Sequence, residues 1–315
     1  MGNSPYLSIV IPVFNEADSL AEALLEIRRH VLAVDPSNEI ILVDDGSTDS
    51  TWSIISDLSK TDSQIKGIKL SRNFGKESAI ATGLSFVSGE AAIVMDADLQ
   101  HPPELIPEMV KCWKQEHADI VEAVKMSRGK EPLTVKLRAR LFYWLMTRLT
   151  GLDLRDSSDF KLLDRKVIDA HNRLPETARF FRGIVSWLGF RKVRIPFTVK
   201  ERAGGKSRWS FRKLFRLAID ASTAFSSLPL HLVTVLGLVM FMISILLGSL
   251  ALYQKITGVA LSGFATVILL LLFIGSVLMI SLGIIGVYIS RIFDEVKRRP
   301  RFIVEETINF NGPLP

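Results

Sequence analysis

The sequence predicts an α/β domain with a mostly parallel sheet, followed by two helices long enough to cross a membrane. Five short apolar runs alternate with amphipathic stretches over the first 125 residues, a pattern typical of a parallel sheet covered by helices on both faces. Two later runs, Leu228–Tyr253 and Phe264–Ser290, contain no Asp, Glu, Lys or Arg. Each exceeds the roughly 20 residues that a helix needs to span a bilayer.

The five apolar runs are the predicted strands. Each is bounded by polar or turn-forming residues, and the first stretch between them places Leu20, Leu24, Ile27 and Val31 at helical spacing. In a parallel sheet, ligands bind beyond the carboxyl ends of the strands, where the connecting loops gather. The predicted strands are Leu7–Phe14, Glu39–Gly46, Ile65–Ser71, Ala91–Asp98 and Asp119–Lys125.

Composition and charge narrow the class of protein. Apolar residues make up 48% of the 315-residue chain, yet its formal net charge is +6. A basic, hydrophobic chain favours either a membrane surface or nucleic acid as its partner. The two long apolar runs favour the membrane, and we expect no nucleic-acid partner. The single cysteine, Cys112, excludes an internal disulfide and is typical of a reducing compartment.

The charges that flank the two long apolar runs predict their orientation. Lys and Arg are abundant in KSRWSFRKLFR before the first run and in RIFDEVKRRPR after the second, whereas the linker QKITGVALSG carries one lysine. The positive-inside rule therefore places both flanks in the cytoplasm. We expect a multi-pass protein of the cell inner (plasma) membrane. Its predicted segments are a cytoplasmic domain at 1–205, an interfacial helix at 206–227, two transmembrane helices at 228–290 and a cytoplasmic tail at 291–315.

Two basic, aromatic-bearing stretches are predicted to form amphipathic helices on the membrane surface. In SRWSFRKLFRLAIDA, Phe211, Leu214 and Phe215 share one helical stripe, and VKLRARLFYWLMTRL shows a similar stripe with interleaved arginines. An ordinary core-packing helix is the alternative for each. On the membrane, the two helices would hold the loops at the strand ends close to a lipid headgroup.

Three of the predicted strands end in turns that carry acidic side chains. In a parallel sheet these turns share one edge, and close carboxylates repel one another unless a cation or an array of donors offsets their charge. A divalent metal with oxygen ligands does so, and a diphosphate can complete its coordination. We expect such a site at the third turn and a helix cap at Asp49. The acidic residues are Glu16 in PVFNE, Asp44, Asp45 and Asp49 in VDDGSTD, and Asp96 and Asp98 in MDADLQ.

Six motifs occur in order along the chain: IPVFNE, VDDGSTDST, SRNFGKESAIATGL, MDADLQHPPE, DSSDFKLLDR and RGIVSWLGF. Together with the two apolar runs they resemble the polyisoprenyl-phosphate glycosyltransferases of glycosyltransferase family 2, and most of all the bacterial undecaprenyl-phosphate glucosyltransferases. The resemblance covers nearly the whole chain. It implies a GT-A fold (Rossmann-like, with a mostly parallel sheet), a nucleotide-diphospho-sugar donor, Mg²⁺ or Mn²⁺, and a polyprenyl phosphate (undecaprenyl or dolichyl phosphate) as acceptor.

For the donor, the resemblance implies roles for residues at the strand ends. Asp44 would accept hydrogen bonds from the base or ribose, which suits a carboxylate. Asp96, Asp98 and Gln100 would ligate the metal, with Asp96 on the donor side, since oxygen ligands suit hard cations. The implied nucleotide-sugar-binding residues are Pro12, Asn15, Glu16, Asp44, Asp45, Lys76, Asp96, Arg202 and Lys206.

For catalysis, the resemblance implies residues in later motifs as well. Arg202, together with Lys206, lies in the KERAGGKSRW loop and matches a family position that closes over the diphosphate; contact with lipid headgroups is the alternative. Asp156 matches the more widely shared family position, and Asp159 matches its bacterial variant. Either would orient the acceptor phosphate or assist any residual proton transfer, and a helix cap is the alternative for one of them. The implied catalytic residues are Asp96, Asp98, Asp156, Asp159 and Arg202.

For the acceptor phosphate, the family-like candidates are Arg128, Arg138 and Arg140. The last two do not align uniquely. Some relatives carry a serine shortly after this arginine, and if Arg138 is the match this sequence has Phe142 there.

The implied reaction is an inverting transfer of a single sugar. A phosphate oxygen is already anionic at neutral pH, so the site must chiefly position it and offset charge on the leaving nucleoside diphosphate. UDP-glucose is the expected donor, with GDP-mannose or an aminoarabinose donor as alternatives. Less favoured are a processive polysaccharide synthase, since Q-x-x-R-W is absent from the sequence, and a non-catalytic nucleotide-sugar sensor.

Two expectations concern assembly. Glycines within the apolar runs allow close contacts between helices and hence a homo-oligomer. The segment FIVEETINF after Arg301 is predicted to form a strand that packs on a neighbour.

Overall fold

The structure is a computed structural model, and it describes residues 6–125, 157–174, 180–197, 228–258 and 263–310. The chain divides into two compact units. Among the described residues, the first unit comprises 6–125, 157–174, 180–197 and 300–310, and the second comprises 228–258 and 263–299.

The first unit is built on one eight-stranded sheet with the strand order β7-β5-β6-β4-β1-β2-β3-β8. Strands β4, β1, β2 and β3 run parallel to one another, while β6 and β8 run antiparallel to their neighbours. A mostly parallel sheet is therefore confirmed. The strands are β1 Leu7–Val13, β2 Glu39–Asp44, β3 Ile65–Leu70, β4 Ala91–Val94, β5 Ile120–Lys125, β6 Lys161–Asp164, β7 Lys192–Phe197 and β8 Val304–Ile308.

Helices cover both faces of the sheet, as predicted. On one face, α1 (Leu20–Leu32), α2 (Thr51–Thr61) and α4 (Ile106–Glu116) contribute to a buried apolar cluster. Leu20, Leu24, Ile27 and Val31 of α1 are all buried, which confirms their predicted helical stripe. On the other face, α3 (Lys76–Phe86), α5 (Arg165–Arg173) and α6 (Phe181–Trp187) pack on a second cluster.

The C-terminal strand β8 corrects a prediction. The segment after Arg301 does form a strand, but it pairs antiparallel with β3 of the same chain rather than packing on a neighbour. Trp52 Nε1 donates to Glu306 Oε2 at 2.9 Å, and Lys69 Nζ lies 3.2 Å from Glu305 Oε1. Residues 300–310, expected to form part of a cytoplasmic tail, thus belong to the sheet of the first unit.

The second unit contains two long apolar helices, α7 (Leu228–Ile256) and α8 (Phe264–Lys297). Their apolar windows, Val233–Gln254 and Leu270–Lys297, have a mean hydropathy of 2.6 each, and neither window is buried within the protein. By length and composition, both helices could cross a membrane. Both begin where the apolar runs begin, and both extend beyond the predicted ends.

Candidate active site

The three acidic turns lie at one edge of the sheet. Strand β1 lies between β2 and β4 and is parallel to both, so the loops that follow these strands emerge together. Val13, the last residue of β1, is in register with Asp44, the last residue of β2. This topology confirms that the three turns share an edge.

Hydrogen bonds join the first two turns to each other. Asn15 Oδ1 accepts from the backbone N–H of Thr48 at 2.8 Å, and the N–H of Asn15 donates to Ser47 Oγ at 2.9 Å. Asn15 has a φ of 53°, in the left-handed region that asparagine tolerates. The Asn15 amide thus links the first turn to the second. Of the other predicted residues here, Pro12 lies in β1, and the Glu16 carboxylate accepts from Ser19 Oγ at 2.8 Å.

Asp49 stabilises the start of α2. Its carboxylate accepts from the N–H of Ala17 at 3.2 Å, from the N–H of Thr51 at 3.0 Å and from Thr51 Oγ1 at 2.5 Å. The hydrogen bond from the Thr51 hydroxyl is the main reason why the pKa of Asp49 is lowered. Thr51 is the first residue of α2, so Asp49 accepts from the first N–H of the helix, although the N-cap position itself is occupied by Ser50.

Asp44 offers a buried acceptor atom. The side chain is inaccessible to solvent, and its Oδ1 accepts from the backbone N–H and the hydroxyl of Ser47. Its Oδ2 is also buried and has no hydrogen-bond partner among the described residues. Burial raises the pKa of the carboxyl above its usual value, although the bonds from Ser47 oppose the shift. An acceptor left unpaired in this way favours binding of a ligand donor.

Asp45, the next residue, organises the loop that precedes α3. One carboxylate oxygen accepts from the N–H of Phe74 at 2.7 Å and the other from the N–H of Gly75 at 2.9 Å. Gly75 has a φ of 95°, which a residue with a Cβ would adopt only under strain. Asp45 therefore fixes the start of α3, and its predicted contact with the nucleotide stays a prediction.

Lys76, the first residue of α3, links two carboxylates that are distant in sequence. Its Nζ lies 2.6 Å from Asp96 Oδ1, in the loop after β4, and 2.6 Å from Asp159 Oδ2, just before β6. Partial burial lowers the pKa of the ammonium, but the charges of Asp159 and Asp96 outweigh that effect and raise it. Lys76 thus stays charged at neutral pH. It joins the loop after β4, here called the donor loop because it carries Asp96, to the predicted catalytic residue Asp159.

Arg182, in α6, holds the other side of Asp159. Its Nε and Nη2 donate to the two carboxylate oxygens at 2.6 and 3.0 Å, and its Nη1 donates to the carbonyl of Ser157 at 3.0 Å. Burial would raise the pKa of Asp159, but Arg182 and Lys76 together hold it well below its usual range. A carboxylate held ionised so firmly is a weak base, so Asp159 is suited to fixing charge and geometry rather than to taking a proton.

A buried ion pair and hydrogen bonds hold the segment that carries Asp159. Glu122 of β5 is inaccessible to solvent, accepts from Ser157 Oγ at 2.5 Å and forms an ion pair with Lys161 of β6. Burial lowers the pKa of Lys161 to about 8, even though Glu122 acts in the opposite direction. Ser158 Oγ donates to the carbonyl of Ala123. These bonds fix the loop on the two strands beneath it.

The predicted metal ligands share one loop but do not form a complete site. Asp98 is exposed and its Oδ1 accepts from the N–H of Gln100 at 3.0 Å, while Asp96 is paired with Lys76. Within the described ranges, no three His, Cys, Asp or Glu side chains are grouped closely enough to hold a metal ion. Two carboxylates and an amide oxygen nevertheless have the donor chemistry of a Mg²⁺ or Mn²⁺ site. The set fits a metal whose remaining ligands come from a bound diphosphate.

Several predicted residues lie outside the described ranges, and their roles stay predictions. Three further residues around Lys76, Asp96 and Asp159 were not predicted from the sequence. Glu77 and Arg182 were part of quoted motifs, but no spacing rule relates residues so far apart. His101, buried beside Asp96 with its Nδ1 3.9 Å from Asp96 Oδ2 and its ring stacked on Phe160, follows the acidic turn directly. The predicted residues outside the described ranges are Arg128, Arg138, Arg140, Asp156, Arg202 and Lys206.

Glu77, the residue after Lys76, also has a raised pKa. Burial raises its pKa from 4.5 to about 7, and the charge of Asp159 adds to the shift, while the N–H of Phe181 opposes it. Because the folded state binds the proton more tightly than the unfolded state, this group stabilises the fold at low pH. That contribution is complete below pH 4.5 and is lost as the pH rises through about 7.

A comparison of the wild type with Glu77→Gln tests this pH dependence. Glutamine does not titrate, so the midpoint of thermal unfolding of the wild type, relative to that of the variant, should fall between pH 5 and pH 8. The measurement is thermal unfolding of both proteins in the same detergent at each pH. A difference between the midpoints that stays constant with pH would contradict the raised pKa.

The fold and this cluster define a class of protein. Ligands of a parallel sheet bind beyond the carboxyl ends of its strands, and here that edge carries the acidic turns and the network of Lys76, Asp159 and Arg182. The profile described as Glycosyl transferase family 2 matches residues 8–173. The chain belongs to this family, and its mixed α/β sheet is the GT-A fold that the motifs predicted.

Relatives match over nearly the whole chain. The uncharacterized glycosyltransferase sll0501 of Synechocystis is 40% identical over 302 residues, which cover 95% of each chain. The SfII prophage-derived bactoprenol glucosyl transferase of Shigella flexneri is 35% identical over 303 residues, which cover 96% of this chain and 98% of the relative. Among solved structures, glucosyl-3-phosphoglycerate synthase from Mycobacterium tuberculosis matches 70% of this chain and 75% of its own, with 20% identity and a TM-score of 0.48.

Proposed function

We propose that the protein transfers one glucose from UDP-glucose to a polyprenyl phosphate at the cytoplasmic face of the membrane, with inversion at the anomeric carbon. The observation that carries the proposal is the edge where β1, β2 and β4 end. This edge carries an unpaired buried oxygen of Asp44, at the end of β2, and a network of Lys76, Asp96 and Asp159. The first suits a nucleoside, and the second suits a diphosphate and a phosphate acceptor.

The relatives support the sugar and the acceptor. The Shigella flexneri relative is named a bactoprenol glucosyl transferase and matches along 98% of its own length. A polyprenyl acceptor lies in a membrane, and α7 and α8 are long and apolar enough to anchor the enzyme there. The basic flanks of both helices support a cytoplasmic location for the site.

The mechanism assigns a different task to each part of the cluster. Asp44 accepts from the nucleoside through Oδ2, the carboxylate oxygen that has no partner among the described residues. Asn15, which links the first two turns, lies beside the nucleoside. Lys76 places a positive charge between the donor loop and Asp159, where negative charge develops on the leaving diphosphate. Asp159, held ionised by Arg182, keeps that charge in place and orients the groups around the acceptor.

A divalent metal, when bound, would offset further charge on the leaving diphosphate. Asp96, Asp98 and Gln100 are the residues that would hold it. The acceptor phosphate oxygen is already anionic, so the reaction needs no strong base, which agrees with the low basicity of Asp159.

Asp98→Asn tests the assignment of the metal ligands. The change removes one ligand charge from an exposed side chain and leaves the fold intact, so transfer should fall by roughly 10²-fold or more while the unfolding midpoint stays the same. The assay incubates purified protein with radiolabelled nucleotide sugar, polyprenyl phosphate and Mn²⁺ and counts label in the organic phase.

Asp57→Asn is the matched control, because Asp57 is an exposed carboxylate of α2 paired with Lys60. It should transfer sugar at the wild-type rate. If Asp98→Asn retains most of its activity, Asp98 is not a ligand. The same assay with UDP-glucose, GDP-mannose and an aminoarabinose donor identifies the sugar, and absence of label from every donor would contradict the proposed function.

A further inference from the structure

The first two residues of α3 reach two different parts of the site. Lys76 contacts Asp96 and Asp159. Glu77 instead reaches α6, where its Oε2 accepts from the backbone N–H of Phe181 at 2.7 Å. The carboxylate of Glu77 thus joins the start of α3 to the start of α6. Arg182, the next residue of α6, donates two hydrogen bonds to Asp159.

Glu77 provides a hydrogen-bond acceptor for a backbone N–H at the start of α6. The first N–H groups of a helix have no partner within the helix, and the residue before α6, Phe180, provides no side-chain cap. Glu77 supplies the missing acceptor from another helix. The ring of Phe181 is buried and lies edge-on to His171, with 6.2 Å between the ring centroids. Packing of this ring and the hydrogen bond to Glu77 therefore both hold the first turn of α6.

We propose that Glu77 is a positioning residue for sugar transfer: it fixes the first turn of α6 so that Arg182 presents both of its donors to Asp159. This inference rests on the proposed function, since it concerns the same site. A guanidinium makes two parallel bonds to a carboxylate only when its plane is aligned with that carboxylate. A small rotation of the first turn of α6 would break one of the two bonds that hold Asp159.

The effect should fall on turnover rather than on donor binding. Asp44 and Asp45 lie at the end of β2, and the carboxylate of Asp45 accepts from the N–H groups of Phe74 and Gly75, which lie outside α6. A shift of α6 therefore leaves the nucleoside pocket as it is. It moves Asp159 relative to Lys76, however, and so alters the charges placed around the reacting groups.

A double-mutant cycle of Glu77→Ala and Arg182→Ala tests the inference. Each single change should lower kcat by roughly 10- to 100-fold, because a displacement of about 1 Å in a site has an effect of that order. The double variant should be no slower than Arg182→Ala alone, since both changes remove the same link. The KM for the nucleotide sugar should stay within about twofold of the wild type, because interactions with the bound donor persist.

Glu77→Gln is the conservative variant, because its side-chain oxygen still accepts from Phe181. It should restore kcat to within about threefold of the wild type, since a neutral acceptor makes a somewhat weaker bond. Ser186→Ala, elsewhere on α6, is the control and should leave kcat unchanged. If Glu77→Ala does not fold, Glu77→Asp takes its place in the cycle, because its carboxylate is one methylene shorter.

The outcomes separate this inference from the proposed function. Independent losses from the two alanine changes, a glutamine variant as slow as the alanine variant, or a loss confined to KM would each overturn the positioning role. Failure of the wild type to transfer sugar from any donor would instead overturn the proposed function, and the cycle is read only on an active wild type.

Discussion

Replacing Lys76 by methionine should lower sugar transfer by roughly 10²- to 10³-fold, the usual cost of losing one preorganised electrostatic group from an active site. Methionine has nearly the length of lysine but no charge. The change therefore leaves Asp96 and Asp159 on facing loops without the cation that lies 2.6 Å from each. The carboxylates would repel each other and would also repel the incoming diphosphate and acceptor phosphate.

The measurement is the steady-state rate of label transfer into the organic phase. Lys76→Arg should recover part of the rate because it keeps the charge while changing its geometry. Lys60→Met is the control, since Lys60 is an exposed lysine of α2 paired with Asp57. A Lys76→Met enzyme that retains more than about one tenth of the wild-type rate would mean that the cation is not part of the transfer machinery.

Local patterns predicted most of the fold. Buried parallel strands are continuous apolar runs bounded by turn residues, and the five predicted runs all contain observed strands. The predicted ends were less accurate, because the strand at Ala91 stops at Val94 and Asp96 lies in the following loop. Strand order, however, depends on pairing between distant segments. Strand β6 enters between β4 and β5 only in the folded chain, and no periodicity reveals that position.

The candidate site was predictable where its residues follow strands directly. Asp44 and Asp96 lie at the same edge of the sheet because β2 and β4 flank β1 and run parallel to it, and the alternation of strands and helices already implied a shared edge. The sequence did not indicate that Asp96 pairs with Lys76, or that Arg182 holds Asp159 across 23 positions. Such contacts are set by how helices pack on the sheet, and a single sequence has no local signal for that packing.

Removing residues 300–315 should destabilise the first unit by several kcal/mol. The deletion removes β8 and leaves β3 as an unpaired edge strand, which also favours aggregation. It takes away Phe302, Val304 and Phe310, which pack against the buried cluster on the α3 face, where Phe310 lies edge-on to Phe86 at 5.0 Å. Full burial of such a side chain contributes about 1.5–3 kcal/mol, and each of these three, being partly buried, contributes a share of that.

Hydrogen bonds add to this loss and make the effect specific to the strand. Asn309 Nδ2 donates to the carbonyl groups of Ser59 and Ile65 at 2.8 Å, and the N–H of Ser71 donates to the carbonyl of Ile303 at 2.9 Å. Without β8 these groups must find water or stay unpaired. The unfolding midpoint should therefore fall by on the order of 10 °C, given the usual shift of a few degrees per kcal/mol for a unit of this size.

A chain that ends at Phe310 is the control, because it keeps every one of these contacts. It should unfold at the wild-type temperature in the same detergent, whereas the chain that ends at Arg299 should unfold earlier and aggregate. Both truncations retain α7 and α8, so a difference between them reports on β8 and not on the apolar helices. Equal unfolding midpoints for the two chains would mean that β8 does not contribute to the stability of the first unit. A lower midpoint for the shorter chain would mean that the polypeptide after the second apolar helix is a structural part of the glycosyltransferase unit.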